Sequence, residues 1–305
     1  MADGLTAIDM FAGLGGFTEG AEQAGCRVVW AGNHWKSACE WHEVNHGFKP
    51  ACQDMHQQPW ELVPRHDLLL ASWACQGFTP AKGSNKLHTD TQRATAWVVI
   101  SAVEYHRPAL FVGENVPAFA RWELFPAWCS AMRALGYALA PMIVDSADHG
   151  VPQQRVRLFI VGTRSAHPVQ IKLPKLQHVP ASSMIDFNAG RWAAIVREGR
   201  AVKTITRIEN GRRQHGDRFL SAFYGATKGG RSLDRPIGTI TTRDRWAVID
   251  HDRMRMLRVD EARRAMGFPD SYKLPASSKL AMHLLGNAVC PPVARDVIQA
   301  LRKAA

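Results

Sequence analysis

Cys75 stands in Trp73-Ala74-Cys75-Gln76-Gly77-Phe78, directly after the apolar run Asp67–Ala71. An α/β sheet places its reactive groups on loops leaving the C-terminal ends of strands, and a thiolate there could act as a nucleophile. Glu114, in Glu114-Asn115-Val116, holds the matching place after the run Ala109–Gly113. A carboxyl group beside a nucleophile could protonate a ring nitrogen of a bound base. Gln153-Gln154-Arg155-Val156-Arg157 precedes the run Leu158–Gly162, and strand alternation predicts Gln153, Arg155 and Arg157 on one face. The glycine-rich segment Asp9–Phe17 follows the first apolar run and opens a helix, so its backbone can approach a ligand at the helix N-terminus. Its G-x-G-G spacing is not the dinucleotide pattern, and a tight strand-to-helix turn would explain it equally. Asp54 could accept a hydrogen bond from an adenine amino group; taken alone it reads as a cap or a surface carboxylate.

Six cysteines are scattered over 305 residues with no C-x-x-C pair, which fits neither a zinc site nor a disulfide framework. No metal site is expected, and the other five cysteines read as small buried hydrophobes. No apolar run approaches the ~18 residues of a membrane span, and no secretory signal is visible. A cytoplasmic protein is the expectation, with no membrane partner. The chain carries 38 Lys plus Arg against 27 Asp plus Glu, a net charge of +11. Much of the excess is arginine between residues 191 and 264, which suits a polyphosphate partner because guanidinium forks onto phosphate and guanine edges. A solvated basic face would look the same.

The elements that must position these residues alternate. Thr6–Phe11, Arg27–Ala31, Asp67–Ala71, Ala109–Gly113 and Leu158–Gly162 read as short buried strands. Amphipathic stretches lie between them, notably Thr18–Ala24, Ser37–Asn45, Thr91–Tyr105 and Ala127–Leu135. This pitch predicts an α/β fold with a doubly wound, mostly parallel sheet. After about residue 165 the texture changes, and 203–247 reads as short strands and loops. Helical character returns at Val259–Met266 and Ala288–Arg302. The expected organisation is a core over 1–165, a small basic lobe over 166–250, and a segment 251–305 packing back onto the core.

Taken together, the motifs resemble the cytosine-C5 DNA methyltransferase family over essentially the whole chain. D-M-F-A-G-L-G-G-F resembles its cofactor loop, C-Q-G-F its nucleophile loop, E-N-V its cytosine-binding motif and Q-Q-R-V-R its Q-x-R-x-R motif. R-P-I-G-T-I-T-T (Arg235–Thr242), G-F-P-D (Gly267–Asp270) and G-N-A-V-C-P-P (Gly286–Pro292) resemble the later motifs, in the family's order. The resemblance implies a Rossmann-like methyltransferase core with a target-recognition lobe. It implies a transfer from S-adenosylmethionine to C5 of a flipped-out cytosine in double-stranded DNA, through a covalent Cys75 adduct. Glu114 would act at N3, Arg155 would hold the cytosine O2 or a phosphate, and Arg157 would support Glu114. Phe11, Ala12, Gly13, Gly15, Gly16 and Asp54 would hold the cofactor. Asn33, His34 and Trp35 would lie at its ribose and adenine end, Ala74 near its sulfonium, and Asn287 and Val289 would close over it. The region from about Ser165 to Asp234 would recognise the target, with Gln76, Arg212, Arg213 and Arg218 as candidate DNA contacts. A monomer in a bacterial or phage-infected cell is expected. The family also includes a tRNA-modifying branch.

Two departures stand against the family pattern. Asn33-His34-Trp35-Lys36 lacks the two acidic residues usual after the second strand, and Ala71-Ser72-Trp73-Ala74-Cys75-Gln76 replaces G-G-P-P-C-Q. The loss of negative charge and of the proline at Ala74 would permit a bulkier, acidic cofactor such as carboxy-S-adenosylmethionine, giving 5-carboxymethylcytosine. A catalytically silent DNA-binding protein is the alternative of another class, and the retention of Cys75, Glu114, Arg155 and Arg157 argues against it.

Overall fold

The computed structural model describes residues 4–75, 77–78, 90–223 and 229–305. The chain divides into two compact units. The first comprises Met1–Asp145, Val156–Pro174 and Ala288–Ala305, and the second Ser146–Arg155 and Lys175–Asn287.

The first unit alternates strands with helices: β1 (Thr6–Met10), α1 (Gly16–Gln23), β2 (Arg27–Asn33), α2 (Lys36–His46), β3 (Ala51–Cys52), β4 (Leu68–Ala71), α3 (Asp90–His106), β5 (Leu110–Asn115), α4 (Phe125–Ala134), β6 (Ala138–Asp145) and β7 (Val156–Thr163). They form a seven-stranded sheet in the order β3-β2-β1-β4-β5-β7-β6. The pairs from β3 through β5 are parallel, while β7 runs antiparallel to both its neighbours. Strand order reverses between β1 and β4, and the crevice outside the strand ends at such a switch point is where open α/β sheets bind ligands. Every residue of β4 is buried, as a parallel strand covered on both faces requires. Trp73, Phe111, Phe119, Trp128 and Tyr137 build the core beside it.

β6 contains Pro141, which in a sequence argues against a strand. The structure resolves the conflict by making β6 the sheet's edge, where a missing backbone donor costs no ladder bond on the open side.

The second unit holds a five-stranded antiparallel sheet, β10-β9-β11-β12-β8, built from β8 (Ala193–Ala194), β9 (Arg218–Ala222), β10 (Gly230–Arg231), β11 (Trp246–Asp250) and β12 (Arg253–Met256). With it go α5 (Val202–His215), α6 (Val259–Ala265) and α7 (Ser278–Asn287). The 14-residue α5 corrects the reading of 203–247 as strands and loops alone. Thr204, Thr206, Asn210 and Gly211 weaken its intrinsic propensity, so tertiary packing supplies what the local sequence lacks. Ile208 and Gly211 are its buried residues, and a Cβ at Gly211 would run into the Phe219 ring. Residues 251–287 group with this unit because β12 pairs with β11. Only the last segment returns to the first unit, as α8 (Pro291–Ala304), which packs along α1 where Gly20 leaves room for Ala294 and the Pro291 carbonyl.

Candidate active site

β4 and β5 are parallel neighbours with Ala71 opposite Gly113, so the residues leaving their C-terminal ends lie side by side. Ser72 continues the sheet, donating its N–H to the Met10 carbonyl at 3.1 Å. Trp73 is buried, its ring packing edge-on against Phe119 at 5.0 Å and tilted against Trp128 at 5.6 Å. Gly113 makes room for it, since a Cβ there would come within 2.8 Å of the indole. Asn115 Nδ2 donates to the Trp73 carbonyl at 3.0 Å, tying the loop to the end of β5. Ala74 and Cys75 follow, both half-buried, and the Phe78 N–H closes the turn on the Cys75 carbonyl at 3.0 Å. All six cysteines are thiols rather than disulfides.

Glu114 is only 7% exposed. Arg157 Nε lies 3.2 Å from its Oε1, and Ser72 Oγ donates to its Oε2 at 3.1 Å. A buried carboxylate needs such partners, because an uncompensated charge there is costly. Arg155 bonds within the second unit instead. Arg155 Nη1 and Nη2 donate to the carbonyls of Ile240 (3.2 Å) and Gly286 (3.0 Å) within the second unit. Gln153, also buried, accepts from the Ile240 N–H at 2.6 Å and donates to the Ala265 carbonyl at 2.9 Å. The predicted single face for Gln153, Arg155 and Arg157 is thus corrected: β7 begins only at Val156, so strand alternation does not extend back through the other two.

On the other side of the switch point, β1 ends in a strained turn. Phe11 has φ +61°, an uncommon value for an aromatic residue, and Gly13 and Gly15 take φ +56° and +96°. Nothing lies closer to a Cβ at Gly13 than the Phe11 carbonyl (3.9 Å) and Asn33 Nδ2 (4.0 Å), which leaves a cradle over the loop. Ala12 is held by its N–H to the Gly32 carbonyl (3.1 Å). Gly16 abuts the Val289 peptide, which a Cβ would strike.

Beneath this loop lies a network that the sequence reading missed. Asp9, fully buried, accepts from the Thr18 N–H (3.1 Å) and Oγ (2.8 Å), and Thr18 Oγ meets His42 Nε2 at 3.0 Å. Burial raises the Asp9 carboxyl to about 7 and lowers the His42 imidazole to about 3. The aspartate belonged to the quoted loop motif; its partner Thr18 and, through Thr18, His42 carry no sequence signal.

Asn33 is buried, with Oδ1 accepting from the Trp35 N–H at 3.3 Å. Trp35 is half-buried, and His34 and Lys36 are exposed. Lys36 has a side chain 84% exposed and sits 3.9 Å from Glu40. Asp54 is exposed and accepts from the His56 N–H (3.0 Å), which holds its carboxyl below the ordinary range. Asn287 is exposed at the end of α7, and Val289 is buried at the start of the closing segment of the first unit.

Among the DNA candidates, Gln76 lies outside the described residues. Arg212 pairs with Asp252 (3.1 Å) and Asp217 (3.6 Å). Arg218 pairs with Asp250 (2.7 Å) and stacks over Phe187, 4.8 Å from the ring centre. Arg213 is exposed, and none of the ion pairs among the described residues involves it.

A glycine-rich loop, a thiol and a buried carboxylate gathered at the switch point of a doubly wound sheet make this an α/β enzyme built for group transfer. The chain belongs to the C-5 cytosine-specific DNA methylase family, whose model matches residues 5–191 and 188–303. It is similar to the type II methyltransferase M.NlaX of Neisseria lactamica, 27% identical over 97% of this chain and 96% of that protein. M.HhaI of Haemophilus parahaemolyticus is 28% identical over 94% of this chain and 90% of its own. The solved structure of the Entamoeba histolytica methyltransferase EhMeth shares the fold, with a TM-score of 0.70 at 16% identity and 98% coverage of both chains. The family's transferases modify DNA and use a cofactor of the S-adenosylmethionine type. No helix among the described residues is long and apolar enough to cross a membrane.

Proposed function

We propose that the protein methylates C5 of cytosine in double-stranded DNA, using S-adenosylmethionine and a transient covalent bond to Cys75. The observation that carries this reading is the pairing at the ends of β4 and β5. There, Cys75 and a buried Glu114 held by Arg157 and Ser72 leave adjacent parallel strands beside the cradle at Gly13. The residues present fit the cofactor, because the open glycine backbone between Phe11 and Gly16 would accept it, with Asn33, Trp35, Asp54, Ala74 and Val289 around it. When bound, S-adenosylmethionine supplies the methyl group as an electrophilic carbon on a sulfonium.

The chain's own residues do the rest. Cys75, as thiolate, bonds to C6 of the flipped cytosine, and the C5–C6 π pair moves into the ring. Glu114 places a proton on N3, neutralising the charge that this addition creates. Arg157 holds the resulting carboxylate. After C5 is alkylated, its proton passes to a base, the C6–S bond breaks to restore the double bond, and the N3 proton returns to Glu114. Asp9 and Thr18 hold the cofactor loop to the helix that follows it. In the second unit Arg155 steadies the segments around Ile240 and Gly286, and Arg213 is the strongest of the three arginine candidates for a DNA phosphate.

An acidic transferred group would need a cation near Cys75. Lys36 faces solvent beside Glu40, which favours the methyl donor over its carboxylated relative. Mass spectrometry of nucleosides from DNA modified in a cell expressing the protein tests the reading. The expected product is 5-methylcytosine, absent with Cys75→Ser. A heavier acidic cytosine would replace the cofactor assignment, and unmodified DNA would leave a silent DNA-binding protein.

A further inference from the structure

We propose that Ser72 is a positioning residue for Glu114, fixing the orientation of the carboxyl that lends its proton to N3. The proposal rests on the reading of Glu114 as the N3 partner. Ser72 stands where the motif that the chain resembles has glycine, so the hydroxyl is a feature of this chain. It is spent on Glu114: Oγ donates to Oε2 at 3.1 Å while Arg157 covers Oε1 at 3.2 Å. Each oxygen of the carboxyl therefore has its own partner, a hydroxyl donor on Oε2 and a guanidinium at Oε1.

The hydroxyl is held in place from both sides. Ser72 donates its own N–H to the Met10 carbonyl, so it extends the sheet rather than riding on a turn. The next residue, Trp73, is buried against Phe119 and Trp128, and its carbonyl receives Asn115 Nδ2. The register of Ala71 against Gly113 then sets Ser72 beside Glu114. Without the hydroxyl, Oε2 would lose its fixed donor, and the carboxyl would be free to turn away from N3.

The test uses the full chain and transfer of labelled methyl groups from S-adenosylmethionine to plasmid DNA grown without cytosine methylation. Ser72→Ala and Ser72→Gly should lower kcat about tenfold, with KM for DNA and cofactor within about twofold of the parent. Ser72→Thr, which keeps the hydroxyl, should restore the rate. Parental kcat in Ser72→Ala and Ser72→Gly, with Glu114→Gln inactive, would overturn the role of Ser72 alone. Equal impairment of all three Ser72 variants would overturn it too, as mere packing. Full activity of Glu114→Gln would instead remove the reading on which the proposal stands.

Discussion

Arg157 and Glu114 form an ion pair across two antiparallel strands, Nε to Oε1 at 3.2 Å, with side chains 18% and 8% exposed. The register puts Asn115 opposite Leu158, so Arg157 extends past the end of β5 and its long side chain reaches back to Glu114. Charge and position are thus supplied to one carboxyl by a residue 43 positions further along the chain.

Removing one partner of a buried pair leaves the other charge stranded, typically at about 3–5 kcal/mol. Arg157→Ala should therefore lower both thermal stability and methyl transfer sharply. Glu114→Gln should be as inactive but markedly more stable than Arg157→Ala, since an uncharged amide can still accept from Ser72. Thermal unfolding alongside the transfer assay checks this, and equal losses of stability in the two variants would contradict it.

Trp73 and Gly113 are fitted to one another. Gly113→Ala places a Cβ 2.8 Å from the indole, and overpacking of this kind costs about 1–3 kcal/mol. In a Trp73→Leu background the same change should cost less, because one of the two obstructing rings is gone while Phe111, 2.9 Å from that Cβ, remains. A double-mutant cycle by urea unfolding measures the coupling. Additive effects would mean that the two side chains do not share the space.

Stability should fall as pH drops from about 6.5 to 4. Burial lowers His42 to about 3 and His66 to about 4, so in this window the unfolded chain binds protons that the fold refuses. Asp9 acts in the opposite sense. Raised to about 7 by burial, it keeps a proton in the fold that the unfolded carboxyl releases above its ordinary value of 3.8. Asp244, raised to about 6 by burial, acts with Asp9, and His106, lowered by burial, acts with the other two histidines. Three histidines against two aspartates leave a net deficit of at most about one proton, or about 1.4 kcal/mol per pH unit. Asp9→Asn removes part of the offset and should steepen the acid loss, whereas His66→Gln should flatten it. Melting temperatures at closely spaced pH values distinguish these slopes from a pH-independent stability.

Local pattern carried much of this molecule. Apolar runs of four to eight residues bounded by turns located β1, β2, β4, β5 and β7, since a strand buried on both faces has no choice but to be apolar. Cys75, Glu114 and the glycine loop were legible because each follows such a run directly, and connectivity alone brings residues after parallel strands to one sheet edge. Other features depended on partners distant in sequence. α5 contains threonines and a glycine, and it exists because Phe219 packs where Gly211 has no side chain. Pro141 is acceptable in β6 only because that strand lies at the edge. Asp9 was visible, but its burial with Thr18 and His42 was not. The two arginines of Q-x-R-x-R look equivalent in the sequence. Folding sends Arg155 to carbonyls of the second unit and Arg157 to the carboxylate of Glu114. A sequence pattern records which face of its own element a residue takes, whereas hydrogen bonds and charge pairing are settled by whatever the rest of the chain brings to that face.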